Sequence, residues 1–206
     1  MVTRTRLLEV ARELFVREGY ASVSRADIAR HAGCGVNTVY YHFPDTRSML
    51  LELIDEWGTA TPVQRRTALD VRTALAGRPR RAVHEFVRRS YDDLRKAASL
   101  YRVILGEARR DPEVRRRYES ARHAMTGWIT DMLRMGQLSG LLRSELKTEA
   151  AGLLLHHVLE SMLLELVTQP LPENLRTDVL DQLAEMICAF LLAEPRRPQP
   201  TQPTDS

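Results

Sequence analysis

The chain has 206 residues, 44% of them hydrophobic, and a formal net charge of +3 at pH 7. This apolar content is enough for a packed core, so a wholly disordered or collagen-like chain is excluded. Because the N-terminus is charged and no run of about eighteen apolar residues occurs, we expect neither a secretory signal nor a membrane span.

The first part of the chain is predicted to form four short helices. Apolar residues at helical spacing indicate the first, which Gly19 ends. Ser24 and Asp27 resemble a capping box at the start of the second, a Gly-rich turn separates the second from the third, and Asp45 is the predicted N-cap of the fourth. The predicted bounds are about 5–18, 24–32, 36–43 and 45–57.

Longer helices are predicted for the remainder. Pro62, Pro79 and Pro112 each stand where a helix can begin, and Gly136 and Gly140 are predicted to end one. The predicted bounds are about 111–135, 148–168 and 173–192. We therefore expect an all-α protein of about nine helices, with a helix-turn-helix domain over 1–57, a larger helical domain over 58–193 and a disordered tail over 194–206.

Two short helices joined by a glycine turn, with a supporting helix in front, indicate a helix-turn-helix. In such a motif the second helix enters the DNA major groove and the first crosses the backbone. That second helix, VNTVYYHF over 36–43, is dense in hydrogen-bonding side chains, and only Val39 and Phe43 are clearly directed to the core. Such a composition is unusual for a helix that serves only as scaffold.

Residues 6–54 resemble the DNA-binding domain of the TetR family of bacterial transcriptional regulators. The matching segments are LLEVARELFVREGY, SRADIARHAG and NTVYYHF, followed by the step from Phe43 through Arg47 to Leu50. The segments lie in one register, which makes the resemblance more specific than any single motif. Over the rest of the chain the resemblance is architectural only.

The resemblance implies roles for individual residues in binding double-stranded operator DNA. Phosphate or groove contacts are implied for Ser24, Arg25, Thr38, Tyr40, Tyr41, His42 and Arg47. Val36 and Asn37 occupy variable positions that set operator preference, and Asn37 is our choice for direct readout because Asn can pair bidentately with adenine. Here Gly35 replaces the usual polar N-cap of the recognition helix and is a weaker cap.

Some of these roles have structural alternatives. Tyr40 could pack between helices, and His42 could cap the end of its helix instead of contacting DNA. Cys34, which stands where a valine is commoner, could be a redox switch, although no basic or metal-binding cluster flanks it. Phe15, Tyr20, Ile28, Val39 and Phe43 are best explained as core.

The resemblance also implies a homodimer through the last two long helices and a pocket for a small-molecule effector. Independently, the penultimate helix is apolar on more than one face and therefore needs two covering surfaces. Candidate pocket residues are Tyr91, Tyr118, Met125, Trp128, Met132 and His157, although a stripe of this kind is more often ordinary core. The effector is expected to be hydrophobic or amphipathic, and the helix that contains Trp57 is the expected lever between the domains.

No phosphate loop, HExxH, CxxC or Gly-x-Ser-x-Gly motif occurs, so we do not expect an enzyme. Cys34 and Cys188 make neither a disulfide framework nor a zinc spacing, and adjacent His156 and His157 make no metal pair. Glu160 is expected to pair with His156 at i,i+4 spacing on the same helix. We expect a cytoplasmic repressor without cofactor or metal, released from a palindromic operator by its ligand. The alternative is an architectural or partner-recruiting DNA-binding protein of the same fold without an effector.

The small net charge is an average over opposed segments. Residues 1–50 carry 7 basic against 5 acidic side chains, residues 51–122 carry 17 against 11, and residues 123–206 carry 6 against 11. Because attraction to DNA depends on local field, the basic front of the chain is compatible with DNA binding. The basic middle segment also leaves open an anionic or amphipathic effector, although ordinary surface arginines explain it better.

Overall fold

The computed structural model describes residues 3–59 and 77–193, apart from the side chains of residues 57–59. These residues form eight α-helices and one short 3-10 helix, which confirms the all-α prediction of about nine helices. The helices are α1 (Arg4–Glu18), α2 (Arg25–Ala32), α3 (Val36–His42), α4 (Thr46–Thr59), α5 (Pro79–Ala108), α6 (Pro112–Leu138), α7 (Thr148–Thr168) and α8 (Glu173–Leu191); the 3-10 helix is Tyr20–Ser22. Pro62, the Trp57 side chain and the tail over 194–206 lie outside the described residues.

Capping residues fix the ends of the first helices, and Gly19 ends the first as the sequence predicts. Thr3 accepts a hydrogen bond from the Arg6 backbone at the start of α1, and Gly19 ends that helix with a positive φ of 84°. Gly33 ends α2 in the left-handed conformation at φ 68°, where a glycine pays no Cβ penalty. Only a short turn separates α2 from α3, and the two helices are in contact, as in a helix-turn-helix.

The core of the first four helices continues into the second half of the chain. Phe15, Ile28, Val39 and Phe43 are buried, as predicted, and Tyr20 packs edge-on against Phe15 with the ring centroids 5.1 Å apart. The same core cluster includes residues from the end of α5 and the start of α6, namely Ile104, Ala108, Val114 and Ala121. The N-terminal helices are therefore packed directly onto the larger domain.

A second core lies between the N-terminal half of α5, the C-terminal half of α6, and helices α7 and α8. Its buried members include Val87, Ile129, Leu155, Leu159 and Ile187. Within it, Gly152 of α7 lies against α6 so closely that an added Cβ would stand 2.2 Å from the Thr130 hydroxyl oxygen. The lack of a side chain at Gly152 therefore permits this close helix crossing.

The predicted end of α6 at Gly136 is wrong. The helix continues through Gly136 to Leu138 and stops before Gly140, which has a φ of 74°. An added Cβ at Gly136 would stand 2.9 Å from the Leu142 side chain, which folds back onto the helix. The lack of a side chain at Gly136 thus lets the following loop pack against the helix. A glycine inside a helix costs about 1 kcal/mol of stability relative to alanine, which a helix of this length tolerates.

One described helix, α7, is long and apolar enough to cross a membrane by length and composition alone, although the sequence led us to expect no such segment. Leu155, Leu159, Leu163 and Leu166 bury one side of it in the second core. Leu153, Leu154 and Met162 are exposed on α7, as are Leu175 and Met186 on α8. The two terminal helices therefore leave a substantial apolar surface uncovered within one chain.

Candidate nucleic-acid interface and ligand cavity

Ser24 begins α2 with a complete capping box. Its hydroxyl accepts from the Asp27 backbone N–H at 3.2 Å, and the Asp27 carboxylate accepts from the Ser24 backbone N–H at 3.1 Å. The Ser24 hydroxyl also donates to that carboxylate at 2.5 Å, and these bonds lower the pKa of Asp27. The box fixes the end of α2 that the family resemblance places at the DNA backbone.

Arg25 and Tyr40 form one stacked unit that joins α2 to α3. The guanidinium carbon lies 3.7 Å from the centroid of the Tyr40 ring, within the range of a cation–π contact. Arg25 also donates a hydrogen bond to the carbonyl of Pro44, just beyond α3. Both side chains are thereby held in one orientation in the protein without DNA.

The recognition helix α3 buries one face and exposes the other. Val39 is fully buried, whereas Tyr40 is 52% exposed and Tyr41 is 85% exposed. Val36 and Asn37 at its first turn are also exposed. Exposed aromatic side chains of this kind on so short a helix are suited to contact with a macromolecule.

His42 and Thr38 occupy intermediate positions on the same helix. Both are partly buried. The His42 ring meets the Tyr41 ring edge-on at 5.1 Å, and His42 is the basic residue of the last turn of α3. This position is compatible with both alternatives for His42, a favourable charge at the helix end and a contact to DNA.

Cys34 lies in the turn before α3 and is a partly buried free thiol. Its backbone N–H donates to the Ala29 carbonyl at 3.0 Å as part of the turn.

Arg47, in the first turn of α4, is held by Asp111. The guanidinium Nη2 donates to one carboxylate oxygen at 2.7 Å and Nε donates to the other, which leaves Nη1 outside this pair. The hydrogen bonds from Arg47 hold the pKa of Asp111 well below its usual range. Asp111 is also the N-cap of α6, where it accepts from the backbone of Glu113 at 2.8 Å.

A second ion pair joins the same two helices further along. Arg117 of α6 donates to the carboxylate of Asp55 on α4, and this bond raises the pKa of Arg117. Helix α6 therefore holds α4 by charged contacts at two places. The sequence showed Asp111 only as a helix start, because no local spacing reveals a partner 64 residues away.

At the other end of α6 lies an apolar cavity of about 300 Å³. Trp128, Met132 and Gly136 line it from α6, together with Phe86 of α5 and Leu155 of α7. Leu142 and Leu192, joined by an isolated antiparallel bridge, close one side. This volume is at the lower end of the range for small-molecule sites.

Two of the six predicted pocket residues, Trp128 and Met132, line this cavity, and the other four lie outside it. Tyr91 is buried and Met125 is partly buried in the second core, where each fills space between helices. His157 is exposed, with its Nδ1 2.9 Å from the Leu153 carbonyl oxygen and its Nε2 3.3 Å from the Arg122 guanidinium.

Tyr118 belongs to a polar cluster instead of the cavity. Its hydroxyl lies 2.7 Å from that of Tyr101 and donates to the Glu160 carboxylate at 3.2 Å. Arg122 grips the same carboxylate through Nη2 at 2.6 Å and Nε at 3.0 Å. Burial raises the pKa of Tyr101, and the phenol therefore remains a donor to the carboxylate.

The cluster also corrects one expected pairing. We expected Glu160 to pair with His156 one turn earlier, but the His156 ring bonds the Thr126 hydroxyl at 2.6 Å. Burial lowers the pKa of His156, whereas the pKa of Glu160 is lowered because its hydrogen bonds from Tyr101 and Arg122 outweigh burial. Sequence spacing showed the neighbour on the same helix and missed the partners on α5 and α6.

Within the described part of the chain, no three His, Cys, Asp or Glu side chains converge in a way that could hold a metal ion. Among the described residues, the larger domain contains an apolar cavity and a hydrogen-bonded polar cluster around Glu160.

Two family models match the chain in succession. The model described as bacterial regulatory proteins of the tetR family matches residues 7–53. The model described as the C-terminal domain of AefR-like transcriptional repressors matches residues 82–193, more than half of the chain.

Individual relatives agree. The chain is 24% identical to the HTH-type transcriptional regulator UidR of Escherichia coli strain K12 over 159 residues, which is 74% of this chain and 76% of UidR. A TetR-family regulator of Mesorhizobium loti superposes with a TM-score of 0.76 at 20% identity, covering 92% of this chain and 96% of that one. A regulator of Saccharomonospora viridis solved in complex with choline gives 0.63 at 23% identity, covering 93% and 98%. The structural likenesses show the fold.

Proposed function

Because the chain belongs to the TetR family of transcriptional regulators, which bind DNA through a helix-turn-helix and are not enzymes, we propose that it is a repressor released by a small ligand. In this proposal a homodimer occupies a palindromic operator in the cytoplasm, and a hydrophobic or amphipathic molecule in the larger domain weakens that binding. The carrying observation is the apolar cavity of about 300 Å³ in the domain packed onto the DNA-binding helices.

The proposed DNA surface consists of the exposed residues of α2, α3 and the start of α4. Phosphate or groove contacts are assigned to Ser24, Arg25, Thr38, Tyr40, Tyr41, His42 and Arg47, and operator preference to Val36 and Asn37. The stack of Arg25 on Tyr40 supports this assignment, because pre-oriented side chains lose less conformational entropy on binding. For Arg47, the Nη1 group outside the Asp111 pair is the one that would reach phosphate.

The proposed dimer uses the uncovered apolar surface of α7 and α8. Leu153, Leu154 and Met162 of α7 and Met186 of α8 are each at least 40% exposed in the single chain. A two-fold partner would cover this surface with its own copy. Two reading heads would then lie about 34–36 Å apart, one helical turn of DNA.

Ligand response is proposed to be a shift in population between two spacings of these heads. Helix α6 supports this mechanism because one continuous helix lines the cavity near Met132 and holds Arg47 through Asp111 at its start. A coupling of about 1–3 kcal/mol would change operator affinity roughly 5–150-fold. Release requires only that the ligand prefer the spacing that fits DNA poorly.

The architectural alternative is disfavoured by the same cavity. A DNA-binding protein without an effector has no need for an unfilled space in its second core, since tight packing is more stable. The S. viridis regulator, which resembles this chain in fold, was solved with choline bound. That likeness supports a small-molecule effector without naming it.

The DNA half of the proposal is tested with two variants on an operator selected from random DNA by the wild-type protein. Tyr40→Phe removes a hydroxyl assigned to phosphate and should weaken binding to all sequences alike. Asn37→Ala should relax preference at one base pair by about 1–3 kcal/mol. Tyr91→Phe, buried in the second core, is the matched control and should leave DNA affinity unchanged.

If neither Tyr40→Phe nor Asn37→Ala alters binding, the recognition helix is misassigned. For the ligand half, a thermal-shift screen of small molecules should identify compounds that raise Tm, and those compounds should lower operator affinity. A ligand that tightens DNA binding, or a broad screen in which DNA affinity never changes, would contradict release from the operator.

A further inference from the structure

The cavity in the second core is lined almost entirely by hydrocarbon. Among its lining residues, all within the described part of the chain, none carries an ionisable side chain. The single hydroxyl, that of Ser139, already donates to the Gly136 carbonyl at 2.9 Å. Besides Ser139, the side-chain hydrogen-bond donor among these residues is the Trp128 indole N–H, so a bound molecule meets no side chain of opposite charge there.

Charged or titratable groups on α5 and α7, two of the helices that line the cavity, are held by other partners. Glu160 is held by Arg122 and Tyr101 in the polar cluster, and His156 bonds Thr126. Arg80, next to the lining residue Pro79, pairs with Glu185 on the outer surface. None of these side chains lines the cavity, so an ionised group inside it would meet no charged partner among the residues that the structure describes.

Burial of an unpaired charge is far less favourable than burial of a neutral group of the same size. Apolar cavities, by contrast, take up neutral apolar molecules readily, and a dry cavity of about 150 Å³ is known to bind benzene. The cavity here is about 300 Å³ and is lined by Phe86, Trp128 and Met132, whose broad or flexible surfaces adapt to different apolar shapes.

We propose that the effector of this chain is uncharged where it is buried, an apolar molecule of the size class of a medium-chain alcohol, and that ionised head groups are excluded from the cavity. This inference rests on the ligand-responsive function proposed above and narrows its ligand from hydrophobic or amphipathic to neutral. It also counts against the anionic effector that the basic middle segment left open, since none of the described basic side chains over 77–122 lines the cavity.

The test compares three probes with the same eight-carbon chain, 1-octanol, octanoate and octylamine, by titration calorimetry on the full dimeric chain near pH 7.5. We expect 1-octanol to bind, and octanoate and protonated octylamine to bind at least about tenfold more weakly. Failure of 1-octanol to bind, or equal affinity for a charged probe, would overturn the inference.

A pH series separates charge from shape, with 1-octanol as the control whose dissociation constant should stay constant. If only the neutral acid enters, the apparent dissociation constant of octanoate should fall about tenfold for each pH unit as pH decreases toward the carboxyl pKa. Octanoate binding that is tight and independent of pH would show that the anion is accepted.

Location is tested with Val83→Phe, which fills the cavity from α5, and Val179→Phe on α8, a partly buried valine of the same core outside the cavity. We expect only Val83→Phe to weaken 1-octanol binding, with circular dichroism and Tm showing both variants folded. If the two variants bind 1-octanol equally, the probe lies elsewhere and the inference fails.

Operator titration in the presence of 1-octanol distinguishes this inference from the proposed function. Binding in the cavity with unchanged operator affinity would support the ligand class and count against release from DNA. Release by a charged compound that competes with 1-octanol would support the regulatory function and overturn the ligand class.

Discussion

The DNA-reading head is formed by α1–α4, and the ligand domain, named for its proposed role, is formed by α5–α8. Both consist of α-helices, yet they are packed differently. In the head, Phe15, Ile28, Val39 and Phe43 are at most 1% exposed. In the second core, Leu155 and Leu159 are 7% exposed and border a cavity of about 300 Å³. The head therefore has a tightly packed core beneath the residues proposed to contact DNA. The ligand domain, in contrast, retains a cavity that a second molecule can fill.

This contrast matches the tasks proposed for each part. A reading head must present α3 in one orientation, since a displaced side chain loses its contact to a base or phosphate. A sensor must be able to change between packings, and an incompletely filled core leaves alternatives close in free energy. The difference in packing density within one chain thus fits the proposed division between DNA recognition by the head and ligand response by the larger domain.

The largest expected effect tests the contrast directly with two phenylalanines. Phe15→Ala in the closed core should lower the free energy of unfolding by about 3–5 kcal/mol, because removal of a fully buried ring leaves a void. Phe86→Ala should cost only about 1–2 kcal/mol, since Phe86 is partly exposed and already borders a cavity. Denaturant unfolding at one fixed protomer concentration measures both, because dimerisation shifts apparent stability.

Equal costs for the two variants would contradict the contrast and show that the second core is as tightly filled as the first. Addition of 1-octanol sharpens the comparison further. It should raise the free energy of unfolding of the wild-type chain. The difference in this free energy between wild type and Phe15→Ala should stay unchanged, because Phe15 lies in the other core.

The sequence was sufficient for most of the head because its signals are local. Helix ends follow from Thr3, Ser24 and Gly33, whose capping or backbone preferences act within a few residues. The exposed positions of α3 follow from helical spacing around Val39. The stack of Arg25 on Tyr40 could not be predicted, because it depends on the angle between two helices.

For the ligand domain, the sequence predicted helices better than their contacts. Helix α7 was predicted with the bounds the structure shows. Tyr118, however, was assigned to the pocket and Glu160 to a neighbour on its own helix, whereas both side chains bond partners on other helices. The cavity depends on Leu142 and Leu192, which come together only through tertiary folding. Periodicity identifies a buried face and carries no information on whether that face is completely filled.

A second prediction concerns the helix crossing within the ligand domain. Gly152→Ala places a methyl group 2.2 Å from the Thr130 hydroxyl oxygen and 3.3 Å from its backbone Cα, so α6 and α7 must separate. We expect a loss of about 1–3 kcal/mol in the free energy of unfolding, as for other overpacked sites. Gly127→Ala is the control on α6, with nothing within 4 Å of the added Cβ, and should stabilise by up to about 1 kcal/mol.

The sign difference between these two glycine variants separates packing from helix propensity. A gain in stability from Gly152→Ala would mean that the crossing is loose and that the second core adapts more freely than the contacts indicate. Thr130→Ala combined with Gly152→Ala should recover part of the loss, since it removes the nearest atom.

The smallest expected effect concerns the junction between the two regions. Asp111→Asn keeps the cap on α6, because Asn caps helices as well as Asp, and removes the charge that faces Arg47. The pKa of Asp111 is depressed mainly by the hydrogen bonds from Arg47, so its stabilising contribution is present above the ordinary carboxyl pKa and is lost as pH falls through the lower folded value. The difference in Tm between wild type and Asp111→Asn should therefore be constant from about pH 5 to 8 and narrow below about pH 4.

The difference should be small, since both side chains are partly exposed and the pair is screened by salt. A difference that widens as pH falls would contradict an ion pair with a depressed carboxyl pKa. If α6 transmits ligand binding through this pair, Asp111→Asn should also reduce the change in operator affinity caused by a bound ligand, while ligand affinity without DNA stays the same. Unchanged coupling would place transmission in the remaining contacts between the two regions, namely the Arg117–Asp55 pair and the shared core around Ile104 and Val114.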